Sequence, residues 1–135
     1  MNSIPPDMHW FIGRYLETLD DVEILVTLAR SPNRSWSKEE LETLLGASPD
    51  AVSISVRSLG DARLCDVVQT QPEVRVRLGT DPALVRYVER LESVLEMDRV
   101  ELLMILNDAA FRRVRSSMTR AFGGALVNPK KANDA

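Results

Sequence analysis

The side chains of this sequence that could do chemistry fall into two sets. The first is His9, Cys65 and the acid pairs Asp20-Asp21 and Glu39-Glu40. Nucleophilic catalysis needs a nucleophile beside a base that a third group orients, and no Ser or Cys accompanies His9 in that way. One Cys and one His are too few for a structural zinc site, and neither a phosphate loop nor a dinucleotide fingerprint is present. Asp66 beside Cys65 opposes a reactive thiolate, so a buried strand position is expected there. The acid pairs fall in the first turns of expected helices, where the macrodipole favours them. We therefore expect no metal, no cofactor and no enzyme activity, with His9 at a surface or an interface.

The second set lies in "SPDAVSISVRSLGDAR". Val52, Val56 and Leu59 recur at spacings of four and three, so a helix turns them inward and leaves Asp50, Ser53, Ile54, Arg57, Ser58 and Asp61 outward. Hydroxyls and a guanidinium on one face can donate hydrogen bonds to an anionic or polar surface. The bland alternative is Arg57 paired with Asp50 or Asp61 at helical spacing.

The elements that must position these residues follow from capping signals and hydrophobic period. After a Pro-containing leader, Asp7 is expected to cap a short helix from about 8 to 17 with Trp10, Phe11 and Tyr15 on its apolar face. Asp20 with Glu23 resembles a capping box and opens a helix that Ser31-Pro32 closes. Ser37 and Glu40 form a full capping box, and Gly46 stands where a left-handed stop is needed. Ser48 caps the next helix and Pro49 occupies its first position. In "CDVVQTQPEVRVRLG" the period changes to two, which predicts a β-hairpin turning between Thr70 and Glu73.

Thr80 or Asp81 then caps a helix carrying Leu84, Val88, Leu91 and Leu95 at spacings of four, three and four. Asp98 and Glu101 mark either a restart or a continuation to about Phe122, with Leu102, Ile105 and Leu106 inward and Gly123-Gly124 as the stop. Four regions result: an N-terminal helical arm (1–19), a central domain (20–79), a C-terminal helical region (80–124) and a flexible tail (125–135).

Net charge is −3, but its distribution is uneven. Residues 1–79 hold 8 basic and 12 acidic groups, 80–110 hold 3 and 7, and 111–135 hold 6 and 1. The basic end, "FRRVRSSMTRAF", sets Phe111, Val114, Met118 and Phe122 on one side of a helix. Such a helix suits a dimer contact better than an anionic membrane. No 18-residue apolar window and no signal-like start is found, and the lone cysteine suits a reducing compartment, so a cytoplasmic protein is expected.

Helix, helix, glycine turn, helix and hairpin over Asp20 to Gly79 resemble the winged helix-turn-helix of bacterial transcriptional regulators. The added terminal helices look loosely like those of MarR-type regulators. The resemblance implies a mostly α fold with a small hairpin, and a homodimer on double-stranded DNA. The reading helix would lie in the major groove and offer Ser48, Ser53, Ile54, Arg57 and Ser58, with phosphates held by Arg34, Lys38, Arg75 and Arg77. Trp36 would join a short third strand or staple the helix entry. Trp10, Phe11, Tyr15, Leu84, Val88, Leu91, Leu95, Leu102, Ile105 and Leu106 would form the dimer interface. The hairpin turn is shorter than a MarR-type wing loop. Asp50 and Asp61 would repel phosphates unless Arg57 or Arg63 neutralises them. The alternative is the same fold used to bind a protein partner through Ile54.

Overall fold

A computed structural model of the chain describes the backbone of residues 4–69 and 73–134, with side chains to 115 and at Met118. Six helices and a three-stranded antiparallel sheet are arranged as α1 (Pro6–Tyr15), α2 (Leu19–Arg30), β1 (Trp36–Ser37), α3 (Lys38–Leu45), α4 (Pro49–Asp61), β2 (Cys65–Gln69), β3 (Val74–Leu78), α5 (Pro82–Met97) and α6 (Arg99–Asp134). The sheet order is β1-β3-β2. β2 and β3 make the expected hairpin, with Cys65 opposite Leu78 and Gln69 opposite Val74. Its tip, Thr70 to Pro72, lies outside the described residues. Trp36 pairs with Val76, so of its two expected placements the third strand is realised.

Local chemistry explains the boundaries. Ser37 Oγ accepts from the Glu40 N–H at 3.1 Å while Glu40 Oε1 accepts from the Ser37 N–H at 2.8 Å, which starts α3. Gly46 ends it at φ 66°, and Ser48 Oγ accepts from the Ala51 N–H to start α4. At α2 the box lies two residues earlier than expected: Thr18 and Asp21 form it, not Asp20 and Glu23. Asp21 can reach back to the Glu17 and Thr18 N–H groups from its buried position, and Asp20 cannot serve as cap from inside the first turn. Nor does Asp7 cap α1; Pro6 begins that helix because its fixed φ fits the first turn, and Asp7 instead pairs with Arg90 of α5 at 2.6 Å. Asp81, not Thr80, caps α5.

The helix restarts at Asp98, whose carboxylate accepts from the Glu101 N–H at 2.9 Å. α6 then continues through Gly123-Gly124, where the sequence predicts a stop, to Asp134. A glycine costs a helix about 1 kcal/mol but ends it only by turning left-handed.

One core joins the winged module to the terminal helices. Met8, Phe11 and Ile12 of α1, Leu16 just beyond it, the inner face of α2, Leu41, Val52, Val56, Leu59, Val76, Val88, Leu91, Leu102 and Leu106 are all buried in it. Phe11 stacks on Tyr87 with centroids 4.8 Å apart. Burial on this scale, at about 25 cal/mol per Å² of apolar surface, is what holds the terminal helices to the module. Surface pairs such as Arg30–Glu92 add orientation more than stability.

Candidate nucleic-acid interface

α3, the Gly46 turn and α4 form the helix-turn-helix, and α4 presents its outer face beside the hairpin. Val52, Val56 and Leu59 face the core as the spacing predicts, and Ile54 is 66% exposed. Arg57 and Asp61 are exposed and Ser53 and Ser58 half-buried. Between α4 and the hairpin runs a groove of about 890 Å³, lined by Ile54, Val67, Val68 and Val74 among apolar groups. Lys38, Arg57, Arg63 and Arg77 also line it, against the carboxylates of Asp61 and Asp66. Cations therefore outnumber carboxylates there two to one, although the whole chain is acidic. Among the described residues, Arg57 forms no ion pair with Asp50 or Asp61, so the bland alternative for it is not realised.

Two of the expected phosphate ligands are occupied instead by the fold. The Arg75 guanidinium donates to Ser35 Oγ at 2.9 Å and to the Ser35 carbonyl at 2.8 Å, and it also pairs with Glu73 and Glu40. It ties β3 to the segment before β1. Arg34 lies 3.6 Å over the Trp36 ring and pairs with Glu40 at 2.9 Å. Alternation along the strand shows that Arg75 leaves the core face; it does not show that Ser35 and Glu40 lie across the sheet from it. Arg77 keeps a looser contact with Asp66 at 3.9 Å. Ser48 is the α4 cap, its oxygen already accepting from Ala51. Glu40 is held below the usual carboxylate range by the Ser37 backbone N–H and by Arg34.

Most of the expected dimer residues lie in the core of one chain. Phe11, Val88, Leu91, Leu102, Ile105 and Leu106 are buried within one chain, and Tyr15, Leu84 and Leu95 pack against the same core. α5 and α6 fold back on α1 and α2, so these positions are covered without a partner. Only Trp10 of the expected set is more than half exposed. The apolar surface left over is elsewhere: Met97, Val100, Met104, Phe111, Val114 and Met118, all more than half exposed. From Val100 onward these recur at intervals of four, seven, three and four, which is one stripe along α6.

His9 and Cys65 are accounted for structurally. His9 Nε2 lies 2.6 Å from Glu101 Oε2, tying α1 to α6. Arg113 donates to the Gly13 and Leu16 carbonyls at 3.2 and 3.1 Å, capping the C-terminal end of α1, which the basic run in the sequence did not reveal. Cys65 is buried in β2, and burial, with Asp66 and Asp21 adding to it, pushes its thiol up to about 12. Among the described residues no group of His, Cys, Asp or Glu could hold a metal ion, and no helix is long and apolar enough to cross a membrane.

No protein-family model matches the sequence, and no curated protein matches it. The structure, in contrast, is similar to solved winged helix-turn-helix proteins. A mutant MepR of Staphylococcus aureus, solved bound to an oligodeoxyribonucleotide, matches with a TM-score of 0.53 at 13% identity, covering 88% of this chain and 87% of its own. AntR, an antimony-specific transcriptional repressor, matches with 0.53 at 22% over 72% of this chain and 87% of its own. The homodimeric DNA-binding domain Mb0332 of Mycobacterium bovis, a possible ArsR-family regulator, matches with 0.51 at 17% over 71% and 91%. The chain has the winged helix-turn-helix fold, with helices added before and after the module in a MarR-like arrangement.

Proposed function

We propose that the chain is a homodimeric, cytoplasmic, DNA-binding transcriptional regulator that reads duplex DNA through α4. The observation that carries this reading is the groove between α4 and the hairpin, where Lys38, Arg57, Arg63 and Arg77 converge in a chain of net negative charge. Ser53, Ile54, Arg57 and Ser58 meet base edges, while Lys38 and Arg77 take phosphates. Ser48 adds a hydroxyl at the N-terminus of α4, where the helix dipole also favours a phosphate. Arg34 and Arg75 serve by holding β1 and β3 in place. Among the solved structures it resembles, AntR is described as a transcriptional repressor, Mb0332 as a possible ArsR-family regulator, and a MepR mutant is bound to an oligodeoxyribonucleotide, which supports the reading.

The second copy meets the first along the exposed α6 stripe of Val100, Met104, Phe111, Val114 and Met118, with Trp10 beside it. An exposed apolar stripe of this length is uncommon on a monomer, and its intervals of four, seven, three and four keep it on one face, interrupted only at the turn of Asn107 and Asp108, which suits a second helix of the same kind.

The protein-interaction reading is favoured by one observation, the exposed Ile54 beside Val67, Val68 and Val74. Replacing Ile54 by Arg separates the two. On DNA, anisotropy of a labelled random duplex should show tighter binding at low salt and a salt slope steeper by about one unit per added phosphate contact. Absence of binding by both the wild type and Ile54→Arg at about 50 mM salt would reject DNA and leave the protein partner.

A further inference from the structure

Arg63 stands at φ 64°, the one non-glycine residue with positive φ among the described residues. The fold requires that conformation there. The Leu64 N–H donates to the Leu59 carbonyl at 2.9 Å and the Arg63 N–H to the Gly60 carbonyl at 3.1 Å, so α4 closes in the double bond of a left-handed helix stop. The hairpin fixes the same corner from the other side: the Gly79 N–H donates to the Leu64 carbonyl at 3.1 Å. A Cβ at Gly79 would lie 2.7 Å from the Arg63 carbonyl oxygen. Glycine is the residue such a corner favours, as at Gly46, where φ is 66°.

An arginine is strained at this position, and its own fold does not repay the strain. The side chain is exposed and, among the described residues, forms no ion pair with Asp61 or Asp66. It lines the groove at the junction of α4 and β2, together with Arg57, Arg77 and Lys38. Without it the groove's cations would exceed its carboxylates by one instead of two. A strained residue that gains nothing locally points to a contact made outside the chain.

We infer that Arg63 is a phosphate-anchoring residue of the α4–hairpin groove, held in a left-handed corner that aims its guanidinium at the nucleic-acid backbone; this rests on the DNA reading above. Arg63 then contacts the strand passing between α4 and the hairpin and contributes affinity without sequence preference. It also offsets Asp61 and Asp66, which would otherwise repel that strand.

The test uses the full chain, the wild type with Arg63→Gly and Arg63→Lys, and two measurements. Thermal melting of Arg63→Gly should rise by about 3 °C, since the strain is relieved. Anisotropy on a labelled random duplex should show its affinity falling about threefold or more, with the salt slope shallower by about 0.9 per protomer. Arg63→Lys should keep the wild-type salt slope. An Arg63→Gly chain that melts higher but binds as the wild type does overturns the inference and leaves the DNA reading standing. A chain that melts lower also overturns it, because the guanidinium would then be serving the fold. Failure of the wild type to bind the duplex at all rejects the DNA reading, and this inference with it.

Discussion

Arg57 projects from α4 with no ion pair among the described residues, whereas the Arg75 guanidinium is held by Ser35, Glu73 and Glu40. The two should therefore fail differently. Arg57→Ala should leave the urea midpoint unchanged and weaken binding to a preferred duplex by about 1–3 kcal/mol relative to random DNA. Arg75→Ala should lower stability by about 2 kcal/mol, since it strips charged hydrogen bonds from the Ser35 hydroxyl and carbonyl and from Glu73. An unchanged midpoint for Arg75→Ala, with a shallower salt slope on DNA, would return it to the phosphate-binding set. Cys65 gives a further prediction at this scale. With its thiol pushed up to about 12, it is protonated and shielded at pH 8 and should react with a disulfide reagent only after unfolding. The sign of the linkage follows: stability from the buried thiol is complete below the unfolded value of about 8.5 and is lost as pH rises towards the folded value. Rapid modification of the native chain would contradict the burial.

Among the elements, the junction of α4 with the hairpin sets the width of the groove. Gly46 and Gly79 separate two reasons for glycine. At Gly46, φ is 66° and a Cβ would meet nothing within 4 Å, so Gly46→Ala carries only the left-handed penalty of about 1–2 kcal/mol. At Gly79 a Cβ would press on the Arg63 and Leu64 carbonyl oxygens at 2.7 and 3.0 Å, both backbone atoms that cannot swing aside. Gly79→Ala should therefore cost about 2 kcal/mol and also move the hairpin, so DNA affinity falls along with stability. Gly46→Ala should lower the melting temperature and leave affinity intact. Equal losses of affinity in both variants would mean that hairpin position does not govern the groove.

At the scale of the whole molecule, α5 and α6 serve first as the other half of the protomer's own core, and among the described residues the outer stripe of α6 is the apolar surface that the proposed second chain would cover. Met104→Glu combined with Phe111→Glu should yield a folded monomer, because both side chains are exposed in one chain and their replacement disturbs no core contact. Sedimentation velocity at micromolar concentration checks this. A wild-type monomer under those conditions would reject the homodimer, and a dimer that persists in the double variant would place the interface elsewhere.

What the sequence determined by itself was local or periodic. Ser37 with Glu40, Gly46, and Ser48 with Pro49 mark helix ends through bonds between residues three or four apart, and the alternation from Val74 to Leu78 marks a strand. Together they made the winged helix-turn-helix and the inward Val52, Val56 and Leu59 legible. Residues 1–19 and 80–124 read as helices for the same reason, but amphipathic periodicity states only that a face is buried. Whether Leu91 or Leu102 meets its own chain or a second one depends on how α5 and α6 fold back, a contact between residues far apart in sequence. The same limit separated Arg57 from Arg75. Both read as outward cations, yet Ser35 lies 40 residues from Arg75 and only the pairing of β1 with β3 brings it within 2.9 Å. Tertiary structure likewise selected Arg63, because a left-handed φ and a groove wall come from the hairpin docking against the end of α4, and neither has a local signature in residue type.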